Sequence, residues 1–102
     1  MQQQADGRRA RTLAQEAIAT LEPLGESHEL ALAYSAWSAH LMVSDENEEA
    51  IAWGRRAMEL ADRLDLDDVM AHALNNIGSA QLMMGIEGGF ANLEQSLEIS
   101  RR

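Results

Sequence analysis

The sequence matches itself at a spacing of 40 residues, and this internal repeat restricts the fold more than any other feature. A shift of 40 positions superimposes identical residues, and the match continues towards the C-terminus with one residue lost at the Gly88–Gly89 turn. A period of this size indicates an architecture in which each repeat is one supersecondary unit that stacks on the next. The identical pairs are Ala10/Ala50, Ala17/Ala57, Leu24/Leu64, Ala31/Ala71 and Ala33/Ala73.

Apolar periodicity and turn residues divide the chain into five predicted helices. Within the main stretches apolar residues recur at i, i+3, i+4 and i+7, as in a helix with one buried face. Pro23 and Gly25 close the first stretch, and Gly85 closes the fourth. Asp45 followed by Glu48 predicts a capping box at the start of the third helix. The predicted helices cover 8–21, 28–43, 46–64, 68–84 and 88–101, with connections short enough to make successive helices antiparallel neighbours.

The composition also favours helices over strands. Ala, Leu and Met dominate the apolar residues, aromatic residues make up 4% and there is one proline. Strands, in contrast, are enriched in β-branched and aromatic residues. We therefore predict an all-α fold with a single domain over 1–102. Within it, 8–25 holds the second helix of a partial repeat, and 26–65 and 66–102 are two helix-pair repeats.

Charge and missing residue types exclude several classes of function. The net charge of −9 argues against nucleic-acid binding, which needs clustered Lys and Arg, and Arg8, Arg9 and Arg11 are interpreted as a solvated helix face. The absence of Cys excludes disulfides and Cys-ligated zinc. No apolar run reaches the roughly 18 residues of a membrane span, and a signal peptide is not recognisable. A cytoplasmic location is expected. The eight basic residues are all Arg, which favours a GC-rich bacterial genome.

No arrangement of residues predicts a catalytic site, a metal site or a cofactor. Asp68 and His72 share a helix face at i, i+4, and we interpret them as a surface ion pair, because a metal ion needs three or four converging ligands. The acidic segment 65–68 lacks the glycine and the closing glutamate of a calcium loop and is interpreted as a helix-capping turn. Trp53 is predicted to pack between adjacent helix pairs. A helical-bundle enzyme is the least favoured alternative.

Two motifs resemble the tetratricopeptide (TPR) repeat family. The family pattern is W-x₂-L-G-x₂-Y followed by A-x₃-F-x₂-A. Residues 8–101 carry the resemblance, although the period of 40 exceeds the 34 of the family and most aromatic positions hold aliphatic or small residues. The first motif is matched by Leu74-x₂-Ile77-Gly78-x₂-Gln81 and Tyr34-x₂-Trp37-Ser38-x₂-Leu41, and the second by Ala10-x₃-Ala14-x₂-Ala17, Ala50-x₃-Gly54-x₂-Ala57 and Gly89-x₃-Leu93-x₂-Ser96.

The resemblance implies a right-handed α-α superhelix that binds a protein or peptide. The run Asn75-Asn76-Ile77-Gly78, together with Leu-Glu-Gln-Ser-Leu-Glu at 93–98, is similar to repeats in large bacterial LuxR-type regulators that carry a nucleotide-hydrolysing switch domain. Neither a phosphate-binding loop nor a DNA-reading helix is found in this sequence. The implied role is therefore a sensor or scaffold segment of a larger regulatory protein.

In such repeats the first helix of each pair lines a concave groove. The positions of this sequence that correspond to the groove contain no Lys or Arg, so a C-terminal carboxylate ligand is not expected. Its Met and Leu residues suit an adaptable apolar contact, and Asn75 offers amide hydrogen bonds. Packing against a neighbouring domain is an equally favoured alternative. The predicted groove residues are Leu32, Ser35, Ala39, Met42, His72, Asn75, Ser79, Leu82 and Met83.

Self-association is the second functional hypothesis. A stack of repeats shields each unit with the next, so its last unit needs a polar cap. The final predicted helix carries apolar residues that such a stack would leave partly uncovered. Homodimerisation through this face is therefore expected at high concentration. The face comprises Phe90, Leu93, Leu97 and Ile99.

Overall fold

The computed structural model describes residues 2–101, with side chains from residue 7 onward. Over this range the chain is all-α and contains no strand. The helices are α1 (Gln2–Leu21), α2 (His28–Val43), α3 (Asn47–Leu64), α4 (Asp67–Met83) and α5 (Gly89–Ser100), and a 3₁₀ turn at Glu22–Leu24 follows α1. None of these helices combines the length and the apolar character that a membrane span needs. The all-α prediction is confirmed.

The helices form two layers. Each helix packs against the next one in the chain, and α2 also contacts α4. The shortest dimension of the molecule is 21 Å, which is the thickness of two helices with their side chains. The core lies between the layers and is rich in alanine, and its largest fully buried side chains are Leu41, Leu60, Leu74 and Val69.

A residue in the left-handed backbone conformation follows each of three successive helices. Asp45 (φ 65°), Asp65 (φ 57°) and Gly85 (φ 70°) each follow a last helical turn. The backbone N–H of Asp45 donates to the Met42 carbonyl, and the backbone N–H of Glu46 donates to the Leu41 carbonyl at 2.8 Å. This hydrogen-bond pattern is a Schellman motif, which satisfies carbonyl groups at the end of a helix.

The capping box predicted at Asp45 is therefore wrong. Asp45 terminates α2, and α3 begins at Asn47 after Glu46, whose side chain makes no capping hydrogen bond. The backbone turn at Asp45 and Glu46, and not a side-chain cap, precedes the start of α3. For the segment 65–68, the capping interpretation agrees with the structure, because Asp65 closes α3 and Asp67 opens α4.

Small residues occupy the points where paired helices approach most closely. The Ser38 hydroxyl of α2 donates to the Ala50 carbonyl of α3 at 2.6 Å. In the next pair, a Cβ atom added to Gly78 of α4 would lie 2.8 Å from the carbonyl oxygen of Gly89 of α5. Ser38 and Gly78 are 40 residues apart and Ala50 and Gly89 are 39 apart. The close approaches of the α2/α3 and α4/α5 pairs are therefore 39 to 40 residues apart in the sequence.

Candidate interaction surfaces

A cleft of about 230 Å³ lies between α2 and α4, and some of the predicted groove residues line it. Four predicted residues line it, namely Leu32, Ser35, Ala39 and His72, together with Ala36 and Asn76, which were not predicted. Both helices therefore contribute to one surface.

Asn76 forms the floor of this cleft. Its amide Nδ2 donates to the Ser35 carbonyl at 3.0 Å, and both residues are buried. Ser35 is thus buried in the contact between α2 and α4. The signal for Asn76 was present in the sequence, since Val69, Ala73, Asn76 and Ala80 recur at the spacing of one buried helix face.

The other predicted groove residues do not share this cleft. Met42 is half-buried and packs against the core cluster around Leu41. Ser79 is half-buried, whereas Leu82 and Met83 are exposed near the end of α4, with Met83 at 61%. Asn75 lines a different cleft.

That second cleft, which we call the end cleft, has a volume of about 550 Å³ and lies between α4 and α5. The Ser96 hydroxyl at its base donates to the Ala71 carbonyl at 2.6 Å. The cleft therefore has a base fixed by a buried hydrogen bond and side walls of mixed polarity. Its lining residues are Asp67, Asp68, Ala71, His72, Asn75, Ser96, Leu97, Ile99 and Ser100.

The predicted self-association residues differ in how far they are exposed. Phe90 and Leu97 are 67% and 55% exposed, in agreement with incomplete cover. Ile99 is 8% exposed because it packs in a cluster with Ala71 and Leu74, so it contributes no exposed apolar surface. Leu93 is half-buried and lies beside Gly78, where α5 approaches α4.

Asp68 pairs with His28 and not with His72 as predicted. Its Oδ2 atom lies 2.8 Å from His28 Nε2, because the first turn of α2 lies beside the first turn of α4. The hydrogen bond from His28 lowers the pKa of Asp68 below its usual range, and partial burial opposes this shift. The predicted pair within α4 is therefore replaced by a pair between α2 and α4.

A third cleft, of about 410 Å³, contains both tryptophans and borders α1. Trp37 is buried and stacks on His40, with ring centroids 5.6 Å apart, and the Arg11 guanidinium lies 5.2 Å from the Trp37 ring. Trp53 of α3 lies 5.6 Å from the Tyr34 ring of α2, within the α2/α3 pair, and packs on the core.

Arg11 is held in place at this cleft. Its guanidinium donates to the Glu46 carboxylate at 2.9 Å. The same hydrogen bond raises the pKa of Arg11 and lowers that of Glu46. Arg11 therefore connects α1 to the α2/α3 turn, whereas the sequence had placed it on a solvated face with Arg8 and Arg9, both of which are exposed.

Among the side chains of residues 7–101, no group of three or more His, Asp or Glu is arranged to hold a metal ion. Comparisons of the chain with family models, with curated proteins and with solved structures found no match.

Proposed function

We propose that this chain is a non-catalytic, TPR-like helical-repeat scaffold that binds an amphipathic segment of a protein partner across the α2/α4 layer. The observation that carries the proposal is the cleft between α2 and α4, whose walls come from equivalent helices of the two pairs. A groove of this kind is how stacked helix pairs bind their partners. The right-handed superhelix, the division at 26–65 and 66–102, and a place in a bacterial regulatory protein belong to the same proposal.

The character of the layer supports an apolar ligand segment. Leu32, Leu82 and Met83 are exposed along the two helices, although large apolar side chains usually lie inside a protein. Flexible Met side chains adapt to different partner surfaces. No Lys or Arg lies on α2 or α4, so a ligand held by its carboxylate is not part of the proposal.

A peptide selection tests the groove. A phage-displayed library of amphipathic peptides is selected against the chain, and the affinity of the best peptide is measured for Leu32→Asp and Met83→Asp. Each variant should lose at least about tenfold in affinity, because a carboxylate would be desolvated against an apolar peptide face. The matched control is Ala52→Asp, an exposed alanine on α3 in the other layer.

The control should bind like the parent chain, and circular dichroism should show equal helicity for all variants. Equal affinity of the two groove variants and the control would refute binding at the α2/α4 layer.

Self-association is the second candidate function, and the exposure of Phe90 and Leu97 favours it. Sedimentation velocity from about 10 μM to about 1 mM covers the range of weak protein association. A dimer that disappears in Phe90→Asp and Leu97→Asp would support this alternative, whereas a monomer across the range would exclude it.

A further inference from the structure

The packing of α4 on α2 and α3 shows which contacts hold a helix at this kind of surface, which we call the seat of α4. Val69 and Ala73 of α4 are fully buried in a cluster with residues of α2 and α3. Two polar contacts fix the helix in place, the His28–Asp68 pair and the hydrogen bond from Asn76 to the Ser35 carbonyl. The seat for α4 therefore consists of a small apolar floor with one polar contact in the first turn and another further along.

The end cleft repeats this seat one helix pair later. A shift of 40 residues carries the α2 side of the first seat onto α4, as it carries Ser38 onto Gly78. A shift of 39 residues carries the α3 side onto α5, as it carries Ala50 onto Gly89. Met70, the counterpart of Leu30, does not line the end cleft, but six other shifted positions do. They are Asp68 for His28, Ala71 for Ala31, Asn75 for Ser35, Ser96 for Ala57, Ile99 for Leu60 and Ser100 for Ala61.

The floor of the end cleft consists of residues that the chain itself buries. Ala71, Ser96 and Ile99 are each 8% exposed, and the Ser96 hydroxyl is used by the Ala71 carbonyl. Leu97 stands at the rim and is exposed. The cleft volume of about 550 Å³ is more than twice the 230 Å³ of the α2/α4 cleft, so there is room for side chains from a docking helix.

The side chain at the first turn is a histidine in the first seat and a carboxylate in the end cleft. In the first seat His28 meets an acidic residue of the docking helix, Asp68. In the end cleft Asp68 itself takes the position of His28, with its Oδ2 atom already bonded to His28, and Asp67 lies beside it. An acidic residue in the first turn of a docking helix would be repelled here, and a basic one would be attracted.

From these observations we infer that the end cleft binds a single amphipathic helix, parallel to α4, that carries Arg or Lys in its first turn. The helix presents small and apolar residues to Ala71 and Ile99, and its basic residue lies against Asp68. This site is separate from the proposed groove, because only His72 lines both clefts.

The probe is a synthetic peptide with the sequence of α4, residues 67–83, in which Asp68 is replaced by Arg. The unchanged α4 peptide is its matched control. Each peptide is titrated into the full chain and followed by fluorescence anisotropy and by amide chemical shifts. The Arg peptide should bind at least about tenfold more tightly than the control, which corresponds to about 1.4 kcal/mol, and should shift the amides of Ala71, Ser96 and Ser100.

Two chain variants locate the site. Ser100→Trp places a large side chain in the end cleft and should abolish binding, whereas Ala91→Trp, at an exposed position of α5 outside that cleft, should not. Asp68→Asn should remove the preference for the Arg peptide. Leu32→Asp, which tests the groove, should leave peptide binding unchanged.

The inference would be overturned by no binding of the Arg peptide, by equal binding of the two peptides, or by shifts confined to Leu32 and Ala39. Sedimentation of the chain alone gives a further outcome. A dimer that Ser100→Trp abolishes would show that a second copy occupies the cleft, and it would also overturn the inference of a helix with a basic first turn.

Discussion

Replacing Gly78 with Ala tests the closest contact between α4 and α5. An added Cβ atom would lie 2.8 Å from the Gly89 carbonyl oxygen and 2.9 Å from Leu93 Cγ. The first of these atoms belongs to the backbone, which cannot rotate away as a flexible side chain does. The helix must therefore move outward, and the packing of α5 on α4 is lost in part.

The expected change in the free energy of unfolding of Gly78→Ala is the sum of two opposing contributions. Alanine inside a helix is favoured over glycine by about 1 kcal/mol, whereas an extra methyl group in a packed contact costs about 1–3 kcal/mol. Because a carbonyl oxygen is involved, we take the upper part of that range. The expected net loss in the free energy of unfolding is about 1–2 kcal/mol, which lowers the melting temperature by roughly 4–8 °C per kcal/mol.

Urea unfolding followed by circular dichroism measures this change, and Gly7→Ala is the control. A Cβ atom at Gly7, also inside a helix, would meet no atom within 4 Å, so the same substitution should cause no loss there. The substitution Gly89→Ala should lower the free energy of unfolding by less in a chain that already carries Gly78→Ala than in the parent chain, because Gly78→Ala has already separated the two backbones. A Gly78→Ala variant as stable as the parent chain would refute the close approach.

Three further changes address the polar contacts of the core and the first turn. Asn76→Ala should lower the free energy of unfolding by about 1–3 kcal/mol in urea unfolding, because it removes a buried hydrogen bond to Ser35; no loss would contradict that bond. Ser38→Ala should cost about 1 kcal/mol in the same measurement, because its hydroxyl donates to a buried carbonyl of α3, and an unchanged stability would contradict this role. The lowered pKa of Asp68 stabilises the folded chain above its ordinary value of 3.8, and this contribution is lost as the pH falls through the lowered pKa. Between about pH 5 and pH 3 the parent chain should therefore lose more stability than Asp68→Asn, and parallel pH profiles would show that the contact with His28 contributes nothing.

Local sequence signals determined where the helices lie. Apolar periodicity and stop residues are properties of neighbouring positions, and the predicted bounds of α2, α3 and α4 agree with the structure to within one residue. Helix α1 begins earlier than predicted, at Gln2, because the Gln and Ala residues before the apolar pattern are good helix formers without being apolar. The all-α class required nothing beyond this local information.

Tertiary packing decided which residues meet and which face each helix exposes. The buried stripe of α4 that includes Asn76 fixes its rotation against α2, and this rotation directs Asn75 into the end cleft instead of the groove. The contact between His28 and Asp68 joins residues 40 positions apart, a separation at which local periodicity carries no signal. Asp45 fits the sequence pattern of a helix start, yet the chain uses it to end α2, since the turn must bring α3 back against the same core. Local preference selects helices one at a time, and only their joint packing determines the surfaces they form together.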